Sequence, residues 1–485
     1  MFASRRFVRR FRSGVAVRLA AAIPIAILAA CGPSQSIVAD DTMRVPIYTR
    51  GHALDPGIVD PSRFSATTPL FAAGMLNAGL LKLGPDLHVI PDLAVSIPTI
   101  SINGRVYTFT IRQDARFADG SRCTALDVEQ SWVRALQSPD RSPLVWQDLG
   151  GIEGASAVSD GMANTLSGVS VLHRLSIRIR LDSPDSTFLE KLAFPVTAVV
   201  RPSPPHSLLG LGPWALTVRA PDGGYTLRPR KHYYGGPLSL KSVELLPVSN
   251  ASRGMDLYRK GSIDIAWVSP SNYFTYQNAA EFHNSDSLDA YYALPPRSAG
   301  VDLASRLDRN ALETSLPGAV TALTTLVPPT VPDYVSSPPT VDPPPGQSAR
   351  RSSLSLDSPR DPIEKDLAQA LRKQWETSRT GSPVRVVHIT FMLPDPGRWL
   401  TIALAQTASP WLRSQLAYAQ TLTEDPVSRM ALYGELESWV LSRGYVVPLV
   451  SGKIAYLMKP RLQGVQVTPL GIMPDNDNWA LVSIG

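Results

Sequence analysis

Only two cysteines, Cys31 and Cys123, occur in 485 residues, so at most one internal disulfide is possible. The seven histidines are scattered, with no pair at the i, i+4 spacing of a helical metal site. There is no H-E-x-x-H, C-x-x-C, G-x-S-x-G or P-loop. Gly210-Leu211-Gly212 runs into Pro213 and is not a nucleotide loop. Lysine is scarce, 9 of the 47 basic residues, and no basic stripe interleaves with aromatics as nucleic-acid binding would require. These absences exclude the motif-borne enzyme classes. No cofactor, metal or nucleic-acid partner is expected, and an enzyme has no positive support.

What is present begins with a leader. Residues 1–30 hold six arginines and no acid, then an apolar run from Leu19 to Ala30. Twelve residues are too few for a helix across a bilayer, which needs ~20, so the segment reads as a signal peptide. Removing its six arginines from the 47 basic residues leaves 41 against 41 acids, a formally neutral mature chain. Leu28-Ala29-Ala30-Cys31-Gly32 resembles a bacterial lipobox, which implies lipidation of Cys31. Cys123 is then left without a partner and reads as a packed, inert thiol.

The most informative stretch is Tyr107–Trp132. Tyr107, Phe109 and Ile111 alternate with Thr108, Thr110 and Arg112, the period of a half-buried strand. Asp119-Gly120 marks a turn. Thr124 with Asp127 three residues on reads as a helix cap, and Val128 and Trp132 give that helix one apolar face. The residues Tyr107, Phe109, Ile111-Arg112, Phe117, Asp119-Gly120, Thr124-Ala125 and Asp127-Val128 resemble the signature of the family 5 extracellular solute-binding proteins, the peptide- and nickel-binding components of ABC importers. Leu54-Asp55-Pro56, Pro91-Asp92-Leu93-Ala94, Gly210–Trp214, Gly261–Ile265 and Gly444–Leu449 resemble further elements of the same pattern.

The resemblance implies an α/β, two-lobed type II binding-protein fold with an extra subdomain. The expected layout is a tether over 31–42 and lobe I over 43–250, with the subdomain inserted at about 60–168. Lobe II follows over 251–450, and 451–485 return to lobe I. Helices are expected over Pro69–Lys82, Ile363–Thr377 and Asp425–Leu441, and a hairpin over Ile100–Ile111 closed by Asn103-Gly104. Leu149–Gly168 reads as loop. Pro328–Pro345 holds eight prolines in eighteen residues, which favours extended backbone. With the Ser/Arg-rich run after it, this stretch reads as a disordered insert over 328–360.

The resemblance also suggests site residues. Arg50 and His52 lie in the loop that faces the ligand in the family, where they could meet a carboxylate. Trp267 could stack on ligand. Peptide-binding members often carry W-x-A-D-Y-x-D-P where this chain has Phe391–Pro396, and their first Asp pairs with the peptide ammonium. Counting back from Asp395-Pro396, that position is Met392, and a thioether cannot neutralise an ammonium. Either the ligand lacks an amine there, another acid substitutes, or the pocket no longer takes peptides. The expected role is a lipid-anchored, monomeric receptor handing an oligopeptide-like solute to an ABC permease. The alternative is a non-transport envelope lipoprotein reusing the scaffold for regulation or protein interaction.

Overall fold

Three main sheets, four two-stranded ones and the helices packed on them make up the described residues from Asp41 onward. The computed structural model describes residues 41–49, 54–65, 68–203, 207–296, 300–336, 354–356, 362–375, 382–391 and 393–485. The leader with Cys31, most of the tether, Arg50, His52, Met392 and most of the proline-rich insert lie outside the described residues.

Lobe I is a four-stranded sheet in the order Thr42–Tyr48, Ser242–Val248, Tyr225–Pro229, Trp214–Arg219. Its first pair is parallel, with Thr42 opposite Ser242 and Tyr48 opposite Val248. Met43, Val45, Ile47, Val243 and Leu245 are fully buried there, with Ile472, Trp479 and Val482 from the chain's end in the same core. The C-terminal segment thus shares the core of this sheet.

The subdomain sheet runs Thr99–Ile100, Val106–Thr110, Ser176–Arg180, Val169–His173, all antiparallel. Tyr107, Phe109 and Ile111 point inward as their period requires. Helix Ala125–Gln137 follows with its capping box formed: Asp127 Oδ2 accepts from the Thr124 backbone N–H at 2.8 Å and from its hydroxyl at 2.7 Å. This sheet includes Ser176–Arg180, which pairs with Val106–Thr110.

The lobe II sheet is ordered Ile265–Trp267, Val447–Met458, Phe282–Leu294, Ser382–Thr390, Leu354–Leu356, with Val320–Ala322 also paired to Val447–Met458. The long strand Phe282–Leu294 changes character along its length, polar from His283 to Asp286 and buried from Ala290 onward. Helices Pro396–Thr407, Pro410–Thr421 and Pro426–Ser442 each begin with proline after an Asp or Ser cap, an arrangement suited to the orphan N–H groups of a first turn.

Three expectations change. Helix Leu70–Leu76 stops six residues short of Lys82, because Leu81–Leu83 pairs with Val89–Pro91 as a hairpin. The glycine-rich stretch after Leu149 contains a short helix, Ala155–Ser159. Leu354–Leu356, inside the run expected to be disordered, is a strand parallel to Ser382–Thr390. Val447–Met458 is an interior strand of the lobe II sheet.

Candidate functional site

Two stretches of chain cross between the lobes, before Ile265 and after Met458. Asp264 ties them together. Its buried carboxylate accepts the Arg44 backbone N–H at 2.7 Å and pairs with Arg461 Nη2 at 2.7 Å and Nε at 2.8 Å. One strand on, the Trp267 backbone N–H donates to the Tyr48 hydroxyl at 3.0 Å, and the two rings meet edge to face at 5.9 Å. Tyr456 stands opposite Trp267 in the sheet. Burial holds the Tyr48 hydroxyl above the usual tyrosine range, against the lowering effect of the Trp267 N–H. Trp267 is therefore half-buried in an aromatic crossing that belongs to both lobes.

Asp395 occupies a different place. It caps helix Pro396–Thr407, accepting from the Gly397 N–H at 2.9 Å, with the Tyr433 hydroxyl at 3.4 Å. It is 4% exposed. Around it the subdomain is sewn to lobe II. Arg429 donates to the Ser186 carbonyl at 2.8 Å, and the Ser186 N–H donates to the Gln420 carbonyl at 3.0 Å. Leu393 is buried in the subdomain core, and Leu87 of the subdomain in the lobe II core. Burial pushes Asp395 up, opposed by Arg429 and Arg398. Glu190 rises to about 7 through burial and then the charge of Asp395. Asp148 rises to about 7 through burial, opposed by Lys191 and Arg398. Trp267 and Asp395 stand in different surroundings, the first against Tyr48 and the second against Gly397 and Tyr433.

A third feature was not anticipated: a cavity of about 110 Å³ where lobe I, the subdomain and the returning C-terminal segment meet. Helix Leu70–Leu76 and the hairpin Leu81–Pro91 form one wall, Phe194–Pro195 another, and Tyr233-Tyr234 with Leu470–Trp479 close it. Leu470, on the cavity wall, also packs against the subdomain core and the lobe II core. Gly212 is needed at its floor: a Cβ there would stand 2.5 Å from the Met75 carbonyl oxygen.

The polar groups on this cavity are few and concentrated. Lys82 Nζ lies 2.5 Å from Asp477 Oδ2, and the Tyr234 hydroxyl donates to Asp92 Oδ1 at 2.5 Å. Burial works against the Lys82 charge, but Asp92 and then Asp477 outweigh it and hold the amine above its ordinary range. Burial raises both carboxyls: Lys82 and the Tyr234 hydroxyl offset part of the rise at Asp92, and Lys82 alone at Asp477. Asp477 sits at φ 54°, the left-handed region, which aims it into the cavity wall. In the sequence Asp92 counts only as part of a scaffold element. Lys82 and Asp477 carry no local signal, because they meet across 395 residues.

Comparison with known proteins agrees with this architecture. The family described as bacterial extracellular solute-binding proteins, family 5 (middle), matches residues 88–378. The chain is 29% identical over 232 residues to the periplasmic murein peptide-binding protein MppA of Escherichia coli, covering 45% of this chain and 43% of that protein. It is 25% identical over 242 residues to the oligopeptide-binding protein OppA of Bacillus subtilis, covering 46% and 42%. These matched stretches span less than half of each relative. In three dimensions the likeness is broader. The unliganded open form of MppA aligns with a TM-score of 0.74 at 20% identity, over 92% of this chain and 97% of that one. NikA from Brucella suis, in complex with Fe(III)-EDTA, aligns with a TM-score of 0.70 at 15% identity, over 91% and 100%.

Proposed function

Because the chain belongs to the bacterial extracellular solute-binding proteins of family 5, we propose that it is a lipid-anchored receptor that carries a peptide-like solute to an ABC permease. The observation that carries this reading is the cavity where lobe I, the subdomain and the returning C-terminal segment meet, with Lys82, Asp92 and Asp477 on its wall. A solute held where the lobes meet favours the arrangement in which both touch it, and a permease can read that arrangement. The murein peptide and oligopeptide in the relatives' names supply the peptide-like class. The lipid anchor rests on Cys31 and its flanking residues.

A second reading has a specific observation behind it. Small-molecule pockets commonly measure roughly 300–1,000 Å³, and this cavity is about 110 Å³. An extended oligopeptide does not fit in it. A scaffold retained for a protein partner, or a receptor for something smaller, is consistent with that volume.

Native mass spectrometry of the full-length product, purified gently from its own host, separates the two. A solute released on denaturation is the expected result, together with a diacylglyceryl group on Cys31. A clean apo mass with no thermal shift from a peptide library would turn the assignment to the second reading.

A further inference from the structure

We propose that the contact between the subdomain and lobe II is a proton-dependent latch. It keeps lobe II against the subdomain while Glu190 and Asp148 are protonated and lets go as they ionise. The latch goes beyond the receptor reading and holds whichever solute the protein carries.

Chain connectivity makes this contact a movable one. The lobe II sheet is drawn from the single stretch Ile265–Met458, so its covalent links to the rest of the molecule are the two ends of that stretch. Any turn of lobe II about those crossings parts or re-forms the subdomain contact, which is made through space alone. Two leucines are exchanged across it. Leu87, in the turn of the hairpin Leu81–Pro91, is buried in the lobe II core, and Leu393 in the subdomain core. Leu87 sits at φ 69°, a conformation that leucine keeps only where its surroundings hold it. His88 lies between Asp86 at 3.1 Å and lobe II's Asp333 at 3.2 Å. The Ser186 N–H donates to the Gln420 carbonyl at 3.0 Å, and Arg429 to the Ser186 carbonyl at 2.8 Å.

An acid cluster under the contact supplies the proton dependence. Asp148, Asp185 and Glu190 from the subdomain meet Asp395 from lobe II, with Lys191, Arg398 and Arg429 as the cations. Lys191 pairs with Asp185 at 2.5 Å. Arg429 is turned to the Ser186 carbonyl, and its Nε is buried without a partner among the described residues. Asp148 Oδ1 and Glu190 Oε2 are likewise buried with no hydrogen-bond partner there, and Asp148 is 3% exposed. A carboxylate oxygen so placed has lost its water and gained no donor, which favours the neutral acid. Burial, joined at Glu190 by the charge of Asp395, accordingly lifts both groups to about 7. The groups facing Glu190 are Asp395, Arg429, Asp185, Tyr107 and Tyr433. Those facing Asp148 are Lys191, Arg398, Gln147 and Asp185. With lobe II turned away, both carboxyls meet water and fall toward about 4. The joined arrangement therefore holds protons that the parted one releases. It is favoured most below about pH 4 and loses that advantage progressively up to about pH 7. A protonated His88 between its two carboxylates acts in the same direction.

The test is hydrogen–deuterium exchange of the full chain at pH 5, 6, 7 and 8, corrected for the intrinsic rise of amide exchange with pH. The Ser186 amide and the turn Gly84–His88 report on the junction; strand Val106–Thr110, inside the subdomain sheet, is the reference. Opening at the reporters is expected to rise about tenfold or more from pH 5 to pH 7, with the reference unchanged. Glu190→Gln with Asp148→Asn keeps the side-chain shapes without their charge and should remove most of that rise. Leu87→Ala should raise opening at every pH and leave the pH dependence in place. Reporter exchange that ignores pH, or that rises in step with the reference, overturns the latch; both outcomes are read on the unsubstituted chain. A rise undiminished in the double variant, or reporters as well protected in Leu87→Ala as before, overturns it too.

Discussion

Asp264 shows what one residue does in this molecule. Its carboxylate is 1% exposed as a residue and holds a backbone N–H from the first strand and a guanidinium from the last segment. Replacing it with alanine removes charge-assisted bonds from both lobe crossings, while Arg461, about a third exposed, can rehydrate. The expected loss is about 2 kcal/mol, read as a lower midpoint in urea with an unchanged slope. A loss under ~0.5 kcal/mol would mean that the crossings are held by packing alone. At this scale the sequence is least legible. Gly261–Ile265 is recognisable as a segment, yet nothing local says that Asp264 meets Arg44 and Arg461. The same holds for Lys82 with Asp477. Asp395, singled out in the sequence only through the family pattern, caps helix Pro396–Thr407.

Elements built from neighbours in sequence were the most readable. The strand, turn and capped helix of Tyr107–Trp132 follow from alternation, one glycine and one capping pair, all within a few residues of each other. Asp127 does more than cap, since its second oxygen accepts Arg201 Nη2 at 2.6 Å. Asp127→Ala should therefore cost about 2 kcal/mol or more, beyond the ~1 kcal/mol of an ordinary cap. Arg201→Ala made on top of it should add little. Additive losses in that double mutant would show the two bonds to be independent. Where elements depend on partners far away, pattern reading fails. Leu81–Leu83 looks helical in continuity with Leu70–Leu76 until its pairing with Val89–Pro91 is known. Leu354–Leu356 is a strand because Ser382–Val384 lies beside it.

At the scale of the whole molecule, the two-lobed plan was legible because its signature residues are dense around the subdomain and near both crossings. The subdomain–lobe II junction was not, since it is assembled from helices remote in sequence. That junction makes stability depend on pH. Asp148 and Glu190 titrate near 7 in the folded chain and near 4 once unfolded. The folded state therefore holds more protons between these values, and stability is greatest below pH ~4 for these two groups and falls as pH rises through about 7. The groups facing Asp148 are Lys191, Arg398, Asp185 and Gln147; those facing Glu190 are Asp395, Arg429 and Asp185. Urea midpoints measured from pH 5 to pH 8 should decline, and Asp148→Asn with Glu190→Gln should flatten the slope. A decline that survives both substitutions would place its origin elsewhere.

The parallel pairing of Thr42–Tyr48 with Ser242–Val248 also governs the order of events at birth. The first strand has no sheet to join until its partner, 200 residues later, has been made. At roughly 5–20 residues per second that delay is about 10–40 s. Lobe I cannot close on a nascent chain within that time, and contacts so distant form slowly even afterwards. A polypeptide that leaves the ribosome with its amino-terminal strand unpaired stays threadable, which is the state a translocation pore requires of its cargo.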